Sequence, residues 1–326
     1  MASIQTVKGT VDSDQLGVIL VHEHICLGGG LGRIPEKFET KAMDYQATLT
    51  RKAAEVGINT LVDLSPHPEV GKIMQLNEKV PQVNLILSTG AYLESRTPHA
   101  VRDLNEDAMI EHMIKDLSAG YDGFEDTGVK AGIIKVTSAG PQLTEWEKKN
   151  FRAAARVQQQ LKVPIATHAC AGAKAQMELL RQAGDNIAAT FYSHVEAEFG
   201  WEGRSREDEA RYLEDVTRAA GYLQFNNLDF EFDTPFEDML YLINYFEGKG
   251  YGDNVFISID ANWTIEEDGR IWHEAEKEHP ETGRRTYAYA ITHAVPMLMS
   301  AGVSLQRISK YLVANPRRLF ETFDEH

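Results

Sequence analysis

Two histidines, His22 and His24, flank Glu23 in the segment VHEHI (21–25), close behind the apolar lead-in LGVIL (16–20). Side chains of an extended strand alternate between faces, so both imidazoles project together and Glu23 points the other way. Two imidazoles on one face can begin a metal site, although a lone His-X-His also fits two packed core histidines. Further polar residues of ligand type stand at the ends of short apolar runs: Lys135 in AGIIKV (131–136), His168 in VPIATH (163–168), His194 in ATFYSH (189–194) and Asp260 in VFISID (255–260). Lys135 is the unusual member. An ammonium buried at the end of such a run, among histidines that hold cations, meets desolvation and repulsion that favour the neutral amine. That amine could form a Schiff base with a carbonyl substrate, or react with CO2 to give a carbamate able to bridge two metals. The surrounding histidines and aspartate favour the carbamate.

These residues need elements that bring them together. Eight β-rich runs recur, at 18–22, 59–64, 84–89, 131–136, 163–168, 189–194, 221–226 and 255–260. Between them lie helical patterns such as AMIEHMIKDLSAG, EWEKKNFRAAARVQQQLK, AKAQMELLRQAG and DEARYLEDVTRAAG. Near-continuous apolar strands alternating with amphipathic helices indicate a parallel sheet, and eight of them match a closed (β/α)8 TIM barrel, an α/β fold. In a barrel the carboxyl-terminal strand ends meet at one mouth, which would gather all six candidate ligands. A dinucleotide fold loses ground, because His-Glu-His stands where the Gly-X-Gly-X-X-Gly fingerprint belongs after a first strand. No internal repeat or Pro/Ser-rich linker divides the chain, so residues 1–326 read as one domain.

Composition narrows the partners. The 43 % hydrophobic content is that of a globular protein, and a formal net charge of −16 with no basic block argues against nucleic acid. No apolar run approaches the ~20 residues that span a bilayer, and the first residues lack the basic and apolar regions of a secretory signal, so a cytoplasmic, membrane-free protein is expected. Only two cysteines occur, Cys26 and Cys170, which supply no disulfide framework.

VHEHI, the run EDTGVKAGIIKV (125–136), TH at 167–168, SH at 193–194 and SID at 258–260 together resemble the phosphotriesterase-related branch of the amidohydrolase superfamily. The resemblance extends from QTVKG near the start to ANPRRLF (314–320). It implies a binuclear metal centre: His22, His24 and Asp260 on the more buried α-metal, His168 and His194 on the exposed β-metal, and carboxylated Lys135 bridging them. Zinc is the first expectation, with manganese, cobalt or iron also suited to such N/O ligands. A hydroxide bridging the two ions would attack a C=O or P=O, with Asp260 taking its proton. Homodimers are what the resemblance implies for assembly.

Substrate choice falls to the residues around that centre. Tyr92, in TGAYLE (89–94), stands where lactonase-like members resemble one another in having a tyrosine and dedicated phosphotriesterases carry a tryptophan; its phenol could donate to a lactone oxygen. Asn227-Leu228 stands where the phosphotriesterases have Asp-His and the acyl-homoserine lactonases Asp-Arg, and Ala197 replaces the aspartate of the phosphotriesterase proton relay. Both specialised activities are thereby weakened, and a small lactone or related carboxylic ester becomes the leading substrate. A small N-acyl amide, a phosphotriester and, more remotely, a Lys135 Schiff-base aldol reaction are the alternatives. The segment 262–287 reads as a long loop over the mouth, with Trp263 and Trp272 as apolar walls and Arg284 and Arg285 as a clamp for an anionic substituent.

Overall fold

A hairpin opens the chain, with β1 (Ser3–Thr6) pairing antiparallel to β2 (Gly9–Asp12). Eight strands then form one sheet in which every neighbouring pair is parallel: β3 (Val18–Glu23), β4 (Ile58–Asp63), β5 (Asn84–Gly90), β6 (Ala131–Ser138), β7 (Ile165–Ala169), β8 (Thr190–Ser193), β9 (Tyr222–Phe225) and β10 (Val255–Ile257). Their spatial order is their chain order. All eight expected runs are strands. This computed structural model describes residues 2–27, 34–169, 172–199, 203–226, 228, 234–273, 276, 279–280 and 284–323.

The ring closes between the first and last barrel strands. Asp260 N–H donates to the His22 carbonyl at 3.1 Å, His24 N–H to the Ala261 carbonyl at 3.3 Å, and His22 N–H to Ser258 Oγ at 3.1 Å. Inside lies an apolar cluster of Ile19, Val21, Val62, Ile86, Ile133, Ala166, Phe191 and Phe256, joined by Ile4 of β1, Leu16, and Leu319 and Phe320 of the last helix (Asn315–Glu321). The lumen is therefore a packed core at one end, and only the opposite end, where the strands finish, is open to chemistry.

The intervening helices follow from local chemistry. Helix Glu145–Leu161 starts in a capping box: Thr144 accepts from Glu147 N–H, and the Glu147 carboxylate accepts from Thr144 N–H. The same carboxylate accepts from Ala139 N–H at 2.8 Å, so this helix start is tied to the end of β6, the strand carrying Lys135. Among the described residues no helix is long and apolar enough to cross a membrane.

The segment after β10 corrects the expectation of a structureless loop. Strands β11 (Trp263–Ile265) and β12 (Ile271–His273) form an antiparallel hairpin, with Gly269 at φ +83° in its turn. Tyr45 of helix Glu39–Glu55 donates to His273 Nε2 at 2.7 Å, and Lys41 Nζ to the Gly269 carbonyl at 2.7 Å. The hairpin is thus docked on the first barrel helix.

Candidate metal centre

Three irregularities of the backbone aim the candidate ligands. Pairing of β3 with β4 slips by one residue between Leu20 and Glu23, a bulge of the kind that re-aims side chains beside active sites. His194 and Asp260 both have positive φ, 55° and 54°, in a region that costs a non-glycine residue about 1–3 kcal/mol and persists only where the surroundings enforce it. Lys135 needs no such device. It shares the inward face of β6 with Ile133, whereas Ile134 and Val136 pack outwards against the helices. Gly90, at φ +122°, lets the neighbouring strand approach: a Cβ there would sit 2.1 Å from the Lys135 carbonyl oxygen, which accepts instead from Ala91 N–H at 3.0 Å.

The six ligand candidates converge at the mouth. His24 Nε2 lies 3.0 Å and His22 Nε2 3.7 Å from Asp260 Oδ1, and the ligand atoms of these three residues all fall within 4.8 Å of one another. On the other side His194 Nε2 is 3.5 Å from Asp260 Oδ2 and 3.1 Å from His168 Nδ1. The His22, His194 and His168 rings follow one another at centroid distances of 4.6 and 4.7 Å. Lys135 is wholly buried, its Nζ donating at 3.2 Å to the carbonyl of Thr167, one residue before His168.

The donor set suits a cation. Gln224 Oε1 accepts from His194 N–H at 3.3 Å, which fixes the orientation of the amide, because a backbone N–H can only donate. That oxygen also lies 3.2 Å from His22 Nδ1, which must therefore carry the proton and leave the Nε2 lone pair facing Asp260. Ser65 Oγ, 2.9 Å from His24 Nδ1, orients the second imidazole. Burial, with the Lys135 charge nearby, holds His22 well below the usual imidazole range; burial and His194 do the same to His168, and burial brings His194 down to about 4. Neutral imidazoles are the form that ligates. His24 differs: burial opposes its protonation, but the Asp260 hydrogen bond and charge raise it. Burial pushes Asp260 the other way, yet His22, His194 and His24 together hold it well below the carboxylate range. It is an anion poised among imidazoles. Three candidate ligands meet on the His22 side and two imidazoles on the His168 side.

The substrate-side candidates divide. Tyr92 is half-buried at the mouth, its ring edge-on to His168 with centroids 5.6 Å apart. Trp263 is not a pocket wall: it is 2 % exposed, packs edge-on against Tyr45 and donates from Nε1 to Gln46 Oε1 at 2.8 Å, anchoring the hairpin. Trp272 is half-buried on the second hairpin strand, under the Arg270 guanidinium at 5.5 Å. Arg285 is buried and donates to the carbonyls of Asn226 and Ile259, which ties together the segments following β9 and β10 rather than forming an open clamp. Arg284 is exposed and paired with Glu276 at 3.0 Å. Asn227 and Cys170 lie outside the described residues.

Its neighbour Asn226 is the residue that spacing missed. Asn226 Nδ2 donates to Asp260 Oδ2 at 3.1 Å, and its own N–H donates to the Glu196 carboxylate at 2.8 Å. Glu196 is itself buried and stands beside Ala197 in the chain. Gln224 carried a signal of its own, a buried amide in an otherwise apolar strand.

A sequence model of the phosphotriesterase family matches residues 2–320. Curated relatives include a phosphotriesterase homology protein of Mycobacterium tuberculosis, 25 % identical over 98 % of both chains, and an aryldialkylphosphatase of Saccharolobus solfataricus, 25 % identical over 96 % of this chain and 98 % of the relative. An N-acetyltaurine hydrolase of Xenopus tropicalis is 25 % identical over 97 % of each. Among solved structures, an organophosphorus hydrolase from Deinococcus radiodurans superposes with a TM-score of 0.82 at 26 % identity, covering 98 % of this chain and 96 % of its own. A mutant of a PTE-like lactonase from the same organism gives 0.82 at 27 % identity, covering 98 % and 100 %. With the family matched from end to end and its hydrolase barrel reproduced, this chain belongs to the phosphotriesterase family and is a hydrolase.

Proposed function

We propose that the protein is a binuclear metal-dependent hydrolase of small lactones or related carboxylic esters, with zinc as the first candidate metal and phosphotriester hydrolysis as a side activity. The observation that carries this reading is the meeting of His22, His24 and Asp260 with His194 and His168, beside a wholly buried Lys135 whose charge acts on all four imidazoles. Among the alternatives, a small N-acyl amide is the nearest, since a relative is named for N-acetyltaurine.

When bound, two divalent ions supply an activated water and polarise the C=O or P=O of the substrate. The chain does the rest. His22, His24 and Asp260 would hold one ion, and His168 and His194 the other. The neutral Lys135 amine would add to CO2: an N–C bond forms, one C=O π bond opens with its electron pair going to oxygen, and an N–H proton leaves to solvent, so that Lys135 gains a carbamate with one negative charge. Asp260 takes the proton of the attacking water, with Asn226 holding its outer oxygen in place. The Tyr92 hydroxyl donates to the carbonyl or ring oxygen of a lactone, an orienting role that the larger, tetrahedral phosphorus centre does not share.

Enzyme reconstituted with metal is to be assayed on lactones, aryl esters, N-acyl amines and phosphotriesters. The proposal expects the highest kcat/KM on a lactone; a higher value on an N-acyl amine or a phosphotriester would replace it. Tyr92→Phe should then lower lactone kcat/KM about tenfold, the worth of one hydrogen bond at the upper end of the usual range, and leave phosphotriester turnover nearly unchanged. An equal loss on both substrates would remove Tyr92 as the lactone-orienting group.

A further inference from the structure

Glu23, the carboxylate between the two histidines, has no part in the chemistry described above, yet it is wholly buried. Burying a carboxylate is costly unless several donors face it. Three do. Ser258 Oγ donates to Glu23 Oε1 at 2.7 Å, Ile259 N–H to the same oxygen at 2.9 Å, and Ala261 N–H to Oε2 at 2.7 Å. All three come from the segment that follows β10, and the two backbone donors are the residues on either side of Asp260.

Asp260 N–H itself goes to the His22 carbonyl at 3.1 Å. Three consecutive N–H groups, from 259 to 261, are thus held by His22 and Glu23. Between them Asp260 has the positive φ of 54° that a non-glycine residue adopts only under constraint. An unconstrained aspartate would relax towards negative φ and swing its carboxylate away from His24 Nε2, now 3.0 Å distant.

We infer that Glu23 is a positioning residue: by gripping the peptides on both sides of Asp260 it fixes the strained backbone that aims this carboxylate at the metal ligands, so that one strand supplies both imidazoles and the clamp for the third ligand. The inference rests on the proposed role of Asp260. It explains why the residue between the histidines is an acceptor with two oxygens: a glutamine offers one acceptor oxygen and turns an NH2 group towards an N–H donor.

The test compares unaltered protein, Glu23→Gln and Ser258→Ala, each titrated with zinc against a competing chelator and assayed on the best substrate from the screen. Glu23→Gln should weaken one of two zinc sites about 10- to 100-fold, the usual effect of removing an orienting partner, and lower kcat by a similar factor with KM within about twofold. Ser258→Ala, which removes one donor of the three, should shift both readouts in the same direction by less. Zinc affinity and kcat that stay within about twofold in Glu23→Gln, with only the melting temperature lowered, would overturn the inference and leave Glu23 a barrel staple. Should Glu23→Gln not fold, unchanged zinc affinity and kcat in Ser258→Ala would overturn it equally. Failure of the unaltered protein to bind zinc would instead count against the metal-hydrolase reading on which the inference rests.

Discussion

Lys135→Ala should abolish hydrolysis of every substrate, with kcat/KM falling on the order of 10³-fold, equivalent to the several kcal/mol of charge stabilisation that a metal pair supplies. The reason lies in where the lysine sits. Its side chain is wholly buried on the inward face of β6, which it shares with Ile133, and near enough to four imidazoles to act on their protonation, a place where an apolar residue would stabilise the fold and an ammonium costs several kcal/mol. Only chemistry justifies an amine there. On the proposed reading Lys135 completes the site of the two imidazoles on the His168 side, so the variant should also lose part of its metal. Added short carboxylic acids with bicarbonate should restore some activity by standing in for the carbamate. Borohydride treatment in the presence of substrate should leave Lys135 unmodified; a covalent adduct would favour the Schiff base.

Asp260→Asn is the second large effect. The amide keeps the size of the side chain and an oxygen able to ligate, but it cannot take a proton, so kcat should fall about 10²-fold or more on lactones, esters and phosphotriesters alike. Uniformity across substrates separates this residue from Tyr92, whose loss is selective. Steady-state kinetics on one lactone and one phosphotriester distinguishes the two. A loss on only one substrate would make Asp260 a specificity residue and remove it as the proton acceptor.

Much of the barrel was legible because its strands are buried on both faces and so read as apolar runs, and because a polar residue ending such a run stands out. His22, His24, Lys135, His168, His194 and Asp260 are candidates on that ground, and His22, His24 and Asp260 do come together in the structure. The devices that aim them were not legible. A one-residue slip between Leu20 and Glu23, or a positive φ at His194 and Asp260, depends on pairing with distant strands and leaves no local mark. The hairpin at 263–273 did leave one: Trp263-Thr264-Ile265 alternates, and Asp268-Gly269 stands between it and the β-rich Ile271-Trp272, a hairpin signal that the length of the segment masks. In the sequence Arg285 and Trp263 read as substrate contacts because their partners, Asn226, Ile259, Gln46 and Tyr45, are far away along the chain. An arginine or tryptophan near a mouth is as readily a fastener as a contact, and only its partners decide.

Glu23 shows the same limit from the other side. Alternation along a regular strand sets Glu23 opposite the histidines, but the strand slips in register here and nothing in VHEHI says that the partners of Glu23 are the peptides around Asp260. Orienting residues such as Gln224, Ser65 and Asn226 share this property. They are chosen by geometry, so their spacing along the chain is arbitrary.

If the six converging side chains hold two divalent ions, elemental analysis of protein prepared with excess zinc and freed of unbound metal should find about two zinc ions per chain, and fewer in Lys135→Ala. A reproducible value near zero in the unaltered protein would mean that these side chains hold no metal pair.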